Sequence, residues 1–331
     1  MATTYNIACL DVFAPAVQAA IRGVAPPEFG INFAKTYDAG EQLGLVVNAD
    51  FLLVGGAPVS AAMIEQAKRL KFIQKWGIGV DKIDVAAARK AGIPLAITAG
   101  ANAGPVAELA IGLMLAVYRR IPFADRNLRE GVWLKPEMRS WCYQLDGKTI
   151  GLFGFGAIAR MAAHRLRGFD AKIIYHDVNR AERVTERALQ ATYVSFEELL
   201  RRSDILSIHV PLTSATRHII NRDAIAKMVD GAVIINTARG GIVDEDALCD
   251  ALEAGKLRGA GLDSFEIEPL PVTSRLTKLD RVVLTPQAGG GVFDTVANVA
   301  EHANGNIGKF LRGEPLSPLD VVVPVTKPAA A

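Results

Sequence analysis

The run Gly151-Leu-Phe-Gly154-Phe-Gly156-Ala157-Ile158-Ala159 leaves a strand-like segment, Thr149–Phe153, and opens a helical one, Ile158–Arg167. A chain passes that abruptly from strand to helix only where side chains are small. Gly154 permits the tight turn, Gly156 leaves the backbone open to a bulky group, and Ala159 fills the third small position where helix meets strand. The free N–H groups at the helix start favour a phosphate. The next strand-like run, Lys172–His176, ends in Asp177, 21 residues after Gly156. A carboxylate at that place accepts the hydroxyls of an adenosine ribose and repels a 2′-phosphate. Loop and acid together predict a βαβ unit that binds a dinucleotide, NAD rather than NADP.

The rest of the chain repeats the same alternation. Tyr5–Leu10, Gly30–Phe33, Phe51–Val54, Phe72–Gln74 and Pro94–Ile97 are short apolar runs bounded by Gly, Pro, Asp or Lys. A helical pattern lies between two of them at Ser60–Leu70, with Ala61, Ile64, Ala67 and Leu70 on one face. A second series follows Thr149, with strands expected at Ile205–Val210, Ala232–Thr237, Gly259–Leu262 and Val282–Thr285. Strands alternating with helices imply parallel sheets covered on both faces. Ser195-Phe-Glu-Glu198 reads as a capping box, and Asp244-Glu245-Asp246 as the acidic start of another helix. A long helix is expected at Pro105–Arg120 between the series, and a last one at Asp294–Leu311. A helix that late is expected to return to the first series and make it discontinuous. The tail from Pro318 to Ala331 reads as an extended arm.

Composition excludes several classes. A length of 331 residues suits roughly two domains. Lys and Arg number 37 against 35 Asp and Glu, too balanced for a nucleic-acid binder that works through a basic surface. Cys9, Cys142 and Cys249 are far apart and form neither a disulfide framework nor a metal-ligand spacing, so no metal is expected. The most apolar stretch, Leu109–Tyr118, is about half of what a membrane span needs. The first residues, Met1-Ala-Thr-Thr-Tyr-Asn, lack the features of a secretory signal. The expectation is a soluble cytoplasmic protein with neither nucleic acid nor membrane as partner.

Further motifs come in a definite order. Gly77-Ile78-Gly79-Val-Asp81 and Gly100-Ala-Asn102-Ala-Gly-Pro-Val106-Ala-Glu108 lie upstream of the glycine loop. Ser207-Ile-His-Val210-Pro211-Leu-Thr213, Ile235-Asn-Thr237-Ala238-Arg239-Gly240-Gly-Ile-Val-Asp244, Gly261-Leu-Asp263-Ser-Phe-Glu-Ile-Glu268-Pro269 and Leu284-Thr-Pro286-Gln287-Ala-Gly-Gly290 lie downstream. With these motifs the chain resembles, over most of its length, the NAD-dependent D-2-hydroxyacid dehydrogenases, the group that includes phosphoglycerate, glyoxylate/hydroxypyruvate, formate and phosphite dehydrogenases. The resemblance implies two doubly wound parallel-sheet α/β domains. One is a discontinuous, flavodoxin-like substrate-binding domain at 1–101 and 292–331; the other is an inserted Rossmann domain at 102–291 that binds NAD. It implies hydride transfer between NAD(H) and the CH–OH group of a 2-hydroxy acid, or its 2-oxo partner. It also implies a homodimer joined near the long helix at 105–120.

Residue roles carry over from the same motifs. Gly154, Gly156, Ala157, Ile158, Asp177, Val210, Pro211, Thr237, Ala238 and Val106 match cofactor contacts, and Asp263 the residue that fixes the nicotinamide carboxamide. Ile78 and Gly79 match the loop whose backbone N–H groups receive the substrate carboxylate. Lys75 and Trp76 beside them either shape that pocket or end a strand. Arg239 follows a strand at the carboxyl edge, where α/β sheets place ligands, and a guanidinium there can hold a carboxylate and polarise a carbonyl. Glu268 matches the glutamate that pairs with the catalytic histidine. Arg139, Trp141 and Tyr143 suit either a larger substrate or simple packing.

One position departs from the family. Its Thr-Pro-His is here Thr285-Pro286-Gln287, so the imidazole that acts as acid and base is replaced by a carboxamide, which has no proton to give. None of the five histidines is an obvious substitute. Three readings stay open. The protein still moves hydride, with Gln287 orienting the substrate and a water, Glu268 or Lys75 handling the proton; or it is an NAD(H) sensor of the corepressor kind with little activity; or the histidine was removed by engineering.

Overall fold

The computed structural model describes residues 5–325, and these divide into two compact units. The first takes residues 5–102 with 292–325, the second Ala103–Gly291. Within the first unit, β1 (Tyr5–Cys9), α1 (Pro15–Gly23), β2 (Phe29–Phe33), α2 (Ala39–Val46), β3 (Phe51–Val54), α3 (Ala61–Gln66), β4 (Phe72–Lys75), α4 (Val85–Ala91) and β5 (Leu95–Ala96) follow in order. The five strands pair in parallel as β5-β4-β3-β1-β2. Side chains alternate across the sheet. Leu52, Val54 and Ile73 pack with Ile64 and Ala88 on one face, and Phe51, Leu53 and Phe72 with Ile21 on the other. The helix expected over Ser60–Leu70 is shorter, because Ala67 turns out of helical geometry at ψ 68°. Ala67 and Leu70 are nonetheless buried, so their spacing reports a turn folded onto the core.

The second unit begins with α5 (Ala103–Tyr118), α6 (Ile121–Arg129) and α7 (Lys135–Trp141). Then come β6 (Thr149–Phe153), α8 (Ala157–Leu166), β7 (Lys172–His176), α9 (Arg183–Leu189), β8 (Ala191–Tyr193), α10 (Phe196–Arg202), β9 (Ile205–Ile208), α11 (Arg222–Lys227), β10 (Ala232–Asn236), α12 (Glu245–Glu253), β11 (Leu257–Leu262) and β12 (Val282–Leu284). The seven strands are all parallel, in the order β12-β11-β10-β9-β6-β7-β8. The order reverses between β6 and β9, the switch point at which such sheets bind ligands. Every residue of β9 and β10 is buried, as expected of strands covered on both faces. The capping box forms at Ser195 and Glu198, and Asp244 caps α12 by accepting the Ala247 N–H.

After residue 291 the chain returns to the first unit with α13 (Val296–Leu311), whose Ile307 and Phe310 join the core around Phe51. The arm expected from Pro318 onward contains β13 (Val321–Val323), antiparallel to β5, so this sheet is mixed rather than wholly parallel. Residues 326–331 of that arm, and residues 1–4 of the stretch read for a signal, lie outside the described residues. Among the described residues no helix is long and apolar enough to cross a membrane, and no His/Cys/Asp/Glu group is arranged to hold a metal.

Asp320 ties the returning strand down. It is 3% exposed and accepts the Ala99 N–H at 2.9 Å, while His302 Nε2 lies 2.8 Å from its other oxygen. Asp320→Ala strands these partners and should cost about 1–3 kcal/mol in urea unfolding, with Asp320→Asn losing less. An unchanged midpoint for the Ala variant would contradict this.

Candidate active site

The glycine loop is built from three strand ends. Gly154 has φ 92°, and a Cβ on it would meet the backbone of His209 at 2.8 Å and Val210 Cγ1 at 3.0 Å, so only glycine satisfies both conformation and space. Its N–H donates to the His176 carbonyl at 2.8 Å. The next N–H, of Phe155, donates to Asp177 Oδ2 at 2.7 Å, and Asn179 N–H to Asp177 Oδ1 at 3.0 Å. Loop and acid therefore hold each other. A carboxylate has about four acceptor positions, which leaves capacity for ribose hydroxyls.

Gly156 is the N-cap of α8 without a side-chain cap, and a Cβ there would find nothing within 4 Å. The first bond of the helix is Arg160 N–H to the Gly156 carbonyl, so the N–H groups of Ala157 and Ile158 stand open at its mouth. That is a phosphate receptor. Arg180, three residues beyond Asp177, binds Glu186 at 2.8 and 2.9 Å and, with the Tyr175 hydroxyl, holds that carboxyl down at about 2. At the same sheet edge the Thr237 hydroxyl is buried with no partner among the described residues. Open helix N–H groups, an anchored acid and an orphaned hydroxyl fit a bound dinucleotide.

Arg239, Glu268 and Gln287 come from the loops after three neighbouring strands. The buried Asn236 shapes the first turn: its Oδ1 accepts the Ala238 N–H at 3.0 Å and its Nδ2 donates to the Arg239 carbonyl at 2.7 Å. The half-buried Arg239 follows in extended conformation, with Nη1 donating to the Ala238 carbonyl. A Cβ on Gly240 would overlap the backbone of Phe265 and Glu266, so the loops after β10 and β11 are in direct contact. Glu268 Oε1 accepts the Phe265 N–H at 3.3 Å.

Asp263 is 3% exposed and does more than its motif suggests. It accepts the Thr285 hydroxyl at 2.6 Å and the Ala288 N–H at 2.8 Å on Oδ1, and the Gly289 N–H at 2.9 Å on Oδ2. Gln287 lies inside that turn at φ 52°, its own N–H donating to the Thr285 carbonyl at 3.0 Å and its side chain exposed. A Cβ on Gly289 would come within 3.5 Å of Val106, which places Val106 beside the same turn. Asn236 and Thr285 are site builders the motifs did not reveal. The available signal was a polar residue directly at the end of each apolar strand.

On the first unit, the loop after β4 turns at Gly77, φ 102°, whose N–H donates to the Thr98 hydroxyl at 2.8 Å. The N–H groups of Ile78 and Gly79 donate to no acceptor among the described residues, leaving a pair of donors suited to a carboxylate. Lys75 ends β4, is 7% exposed and donates to the carbonyls of Gly55 and Trp76, so it ties two loops together. Of the aromatic residues considered for a substrate wall, Trp141 and Tyr143 lie under the guanidiniums of Arg120 and Arg258, at 4.9 and 3.7 Å. That is packing.

The histidines have other occupations. His302 binds Asp320, His176 Nδ1 lies 3.0 Å from the Val194 carbonyl, and His164 is exposed on α8. His218 Nε2 is 3.0 Å from Glu266 Oε1. His209, behind the glycine loop, lies 2.9 Å from the Ser207 hydroxyl, and burial pushes its imidazole down to about 4. It is neutral in the working range. The unfolded chain takes up this proton below about 6.5 and the folded one only below about 4, so stability should fall as pH drops through that window, by at most about 1.4 kcal/mol per unit. His209→Gln should flatten this part of the pH–stability curve; an unchanged slope would contradict the assignment.

Comparison with known proteins agrees with the geometry. Residues 111–289 match the family described as D-isomer specific 2-hydroxyacid dehydrogenase, NAD binding domain. A hydroxypyruvate reductase from Thermotoga maritima is 45% identical over 262 residues, 78% of this chain and 84% of that protein. A formate dehydrogenase from Granulicella m. has a TM-score of 0.87 at 25% identity, covering 98% of this chain and all of that one. An NAD-dependent formate dehydrogenase from Staphylococcus aureus, solved with NAD, has a TM-score of 0.84 at 26% identity over 96% of this chain and 99% of its own. The chain belongs to the D-isomer specific 2-hydroxyacid dehydrogenase family and is an NAD-dependent oxidoreductase acting on the CH–OH group of 2-hydroxy acids.

Proposed function

We propose that the chain reduces a small 2-oxo acid of the glyoxylate or hydroxypyruvate class with NADH, using Arg239, Glu268 and Gln287 as its catalytic residues. The observation that carries this is their delivery by loops after the adjacent parallel strands β10, β11 and β12, at the edge that also bears the glycine loop. Bound NADH supplies a hydride for the carbonyl carbon. Arg239 holds the carboxylate and polarises the carbonyl. The Gln287 carboxamide donates a hydrogen bond to the carbonyl oxygen as negative charge develops there. It has no proton to release, so the proton comes from Glu268 or from a water that Glu268 holds. Substrate binding on the first unit is assigned to the N–H groups of Ile78 and Gly79. The reductase name of the Thermotoga maritima relative supports the substrate class.

The coenzyme preference follows from Asp177, with Arg180 committed to Glu186 and withdrawn from a 2′-phosphate. A homodimer is supported by α6, which has no buried residue and exposes Ile121 and Leu128, with Trp133 at 71% beyond it. A cytoplasmic location is supported by three free cysteines.

Three measurements test this reading. NADH should bind more tightly than NADPH by at least about tenfold, as expected of a like charge facing a 2′-phosphate, with the gap narrowed in Asp177→Ala. Equal affinities would overturn the preference. Arg239→Ala should lower kcat/KM for 2-oxo acids by about 10³ or more while NADH affinity stays within a few fold. A variant that keeps most of its activity would remove Arg239 from the site. Gln287→His places an imidazole at a left-handed position that histidine tolerates and restores a positioned acid. Glyoxylate reduction should rise by about tenfold where proton transfer limits the native chain. Lower activity on every acid tested would show that the native substrate needs the amide.

A further inference from the structure

Two acidic residues outside the reacting set bind each other through their backbones. Glu266 N–H donates to Glu245 Oε1 at 2.7 Å, and Glu245 N–H donates to Glu266 Oε1 at 3.3 Å. Carboxylates ordinarily repel, yet each here answers an N–H that would otherwise lack a partner. Glu245 is the first residue of α12, so the Glu266 carboxylate sits at a helix N-terminus, where the helix dipole favours negative charge. The neighbouring N-terminal N–H, of Ala247, is already taken by Asp244. His218 Nε2 lies 3.0 Å from Glu266 Oε1 without hydrogen-bond geometry, and the His218 backbone N–H donates to the Gly241 carbonyl at 2.8 Å.

The clamp joins the two segments that carry Arg239 and Glu268. Glu266 is two residues before Glu268 and three after Asp263, on the loop whose backbone the Cβ-less Gly240 touches. Glu245 follows Arg239 by six residues, on the segment that runs from it into α12. Burial raises the Glu245 carboxyl, the hydrogen bond from the Glu266 N–H opposes this, and the charges of Glu266, Asp246 and Glu268 add to the rise.

We propose that Glu245 and Glu266 are positioning residues for the reduction: their reciprocal hydrogen bonds hold the 263–268 loop in register with the Arg239 loop and so set where Glu268 stands. This rests on the reading of Arg239, Glu268 and Gln287 as the reacting set, and it concerns neither substrate contact nor coenzyme contact.

The test is a double-mutant cycle on the whole protein, read by steady-state kinetics with NADH and glyoxylate and by hydrogen exchange of the peptide spanning 263–268. Glu245→Ala and Glu266→Ala should each lower kcat by about tenfold, with the glyoxylate KM and NADH affinity within about threefold. The double variant should be no worse than the poorer single one, because one clamp is lost only once. Glu245→Gln keeps the acceptor oxygen and should retain native kcat. Exchange in 263–268 should quicken in the Ala variants and stay native in Glu245→Gln. Ala variants within twofold of native kcat, or losses that multiply in the double variant, would overturn the positioning role. If the native protein turns over no 2-oxo acid, the functional reading fails, and the exchange result alone decides the clamp: unchanged exchange in both Ala variants overturns it.

Discussion

In a parallel sheet every strand delivers its carboxyl end to the same edge, and the second unit depends on that constraint throughout. β6, β7 and β9 bring the glycine loop, Asp177 and Val210 to this edge; β10, β11 and β12 bring Arg239, Glu268 and Gln287. Burial of the central strands β9 and β10 on both faces leaves mostly apolar side chains along their length, so the chemistry collects where the backbone leaves the sheet. The chain order that reverses between β6 and β9 opens the place for the dinucleotide.

At that edge, each loop is held by a polar group at the strand end rather than by apolar packing. Asn236 shapes the turn before Arg239, Asp177 secures the Phe155 N–H, and Asp263 gathers three donors from residues 285–289. A buried carboxylate needs such donors, and the donors need it, so the turn carrying Gln287 is specified by Asp263. The left-handed backbone at Gln287 costs on the order of 1–2 kcal/mol, which the three hydrogen bonds readily offset. The carboxamide of Gln287 stands where the family resemblance implies an imidazole, and the frame around it is intact. That intact frame favours a working reductase.

Legibility in the sequence tracked the range of the interaction. Phe51–Val54, Thr149–Phe153 and Lys172–His176 are strands over the same residues that their apolar runs suggest, because burial on both faces writes a continuous signal. The capping box at Ser195 was readable because its partners are three residues apart. The three-residue strands β8 and β13 are too short for any periodicity, and the direction of β13 depends on Asp320 reaching Ala99, 221 residues away. At the site, residue types were legible and their mutual arrangement was not. The tie between Asp263 and the Gln287 turn spans 22 to 26 residues and the Glu245–Glu266 clamp 21, with no local pattern to announce either.

The central claim is that this edge transfers hydride with Gln287 at the place where the family resemblance implies a histidine. Stopped-flow mixing of the NADH-loaded protein with glyoxylate and with hydroxypyruvate, followed at the nicotinamide absorbance from pH 5 to 9, tests it most directly. The account predicts stoichiometric loss of NADH and a rate profile without an imidazole limb at about 6–7. NADH that binds but is not consumed with either acid, or a profile governed by a group near neutrality, would contradict it.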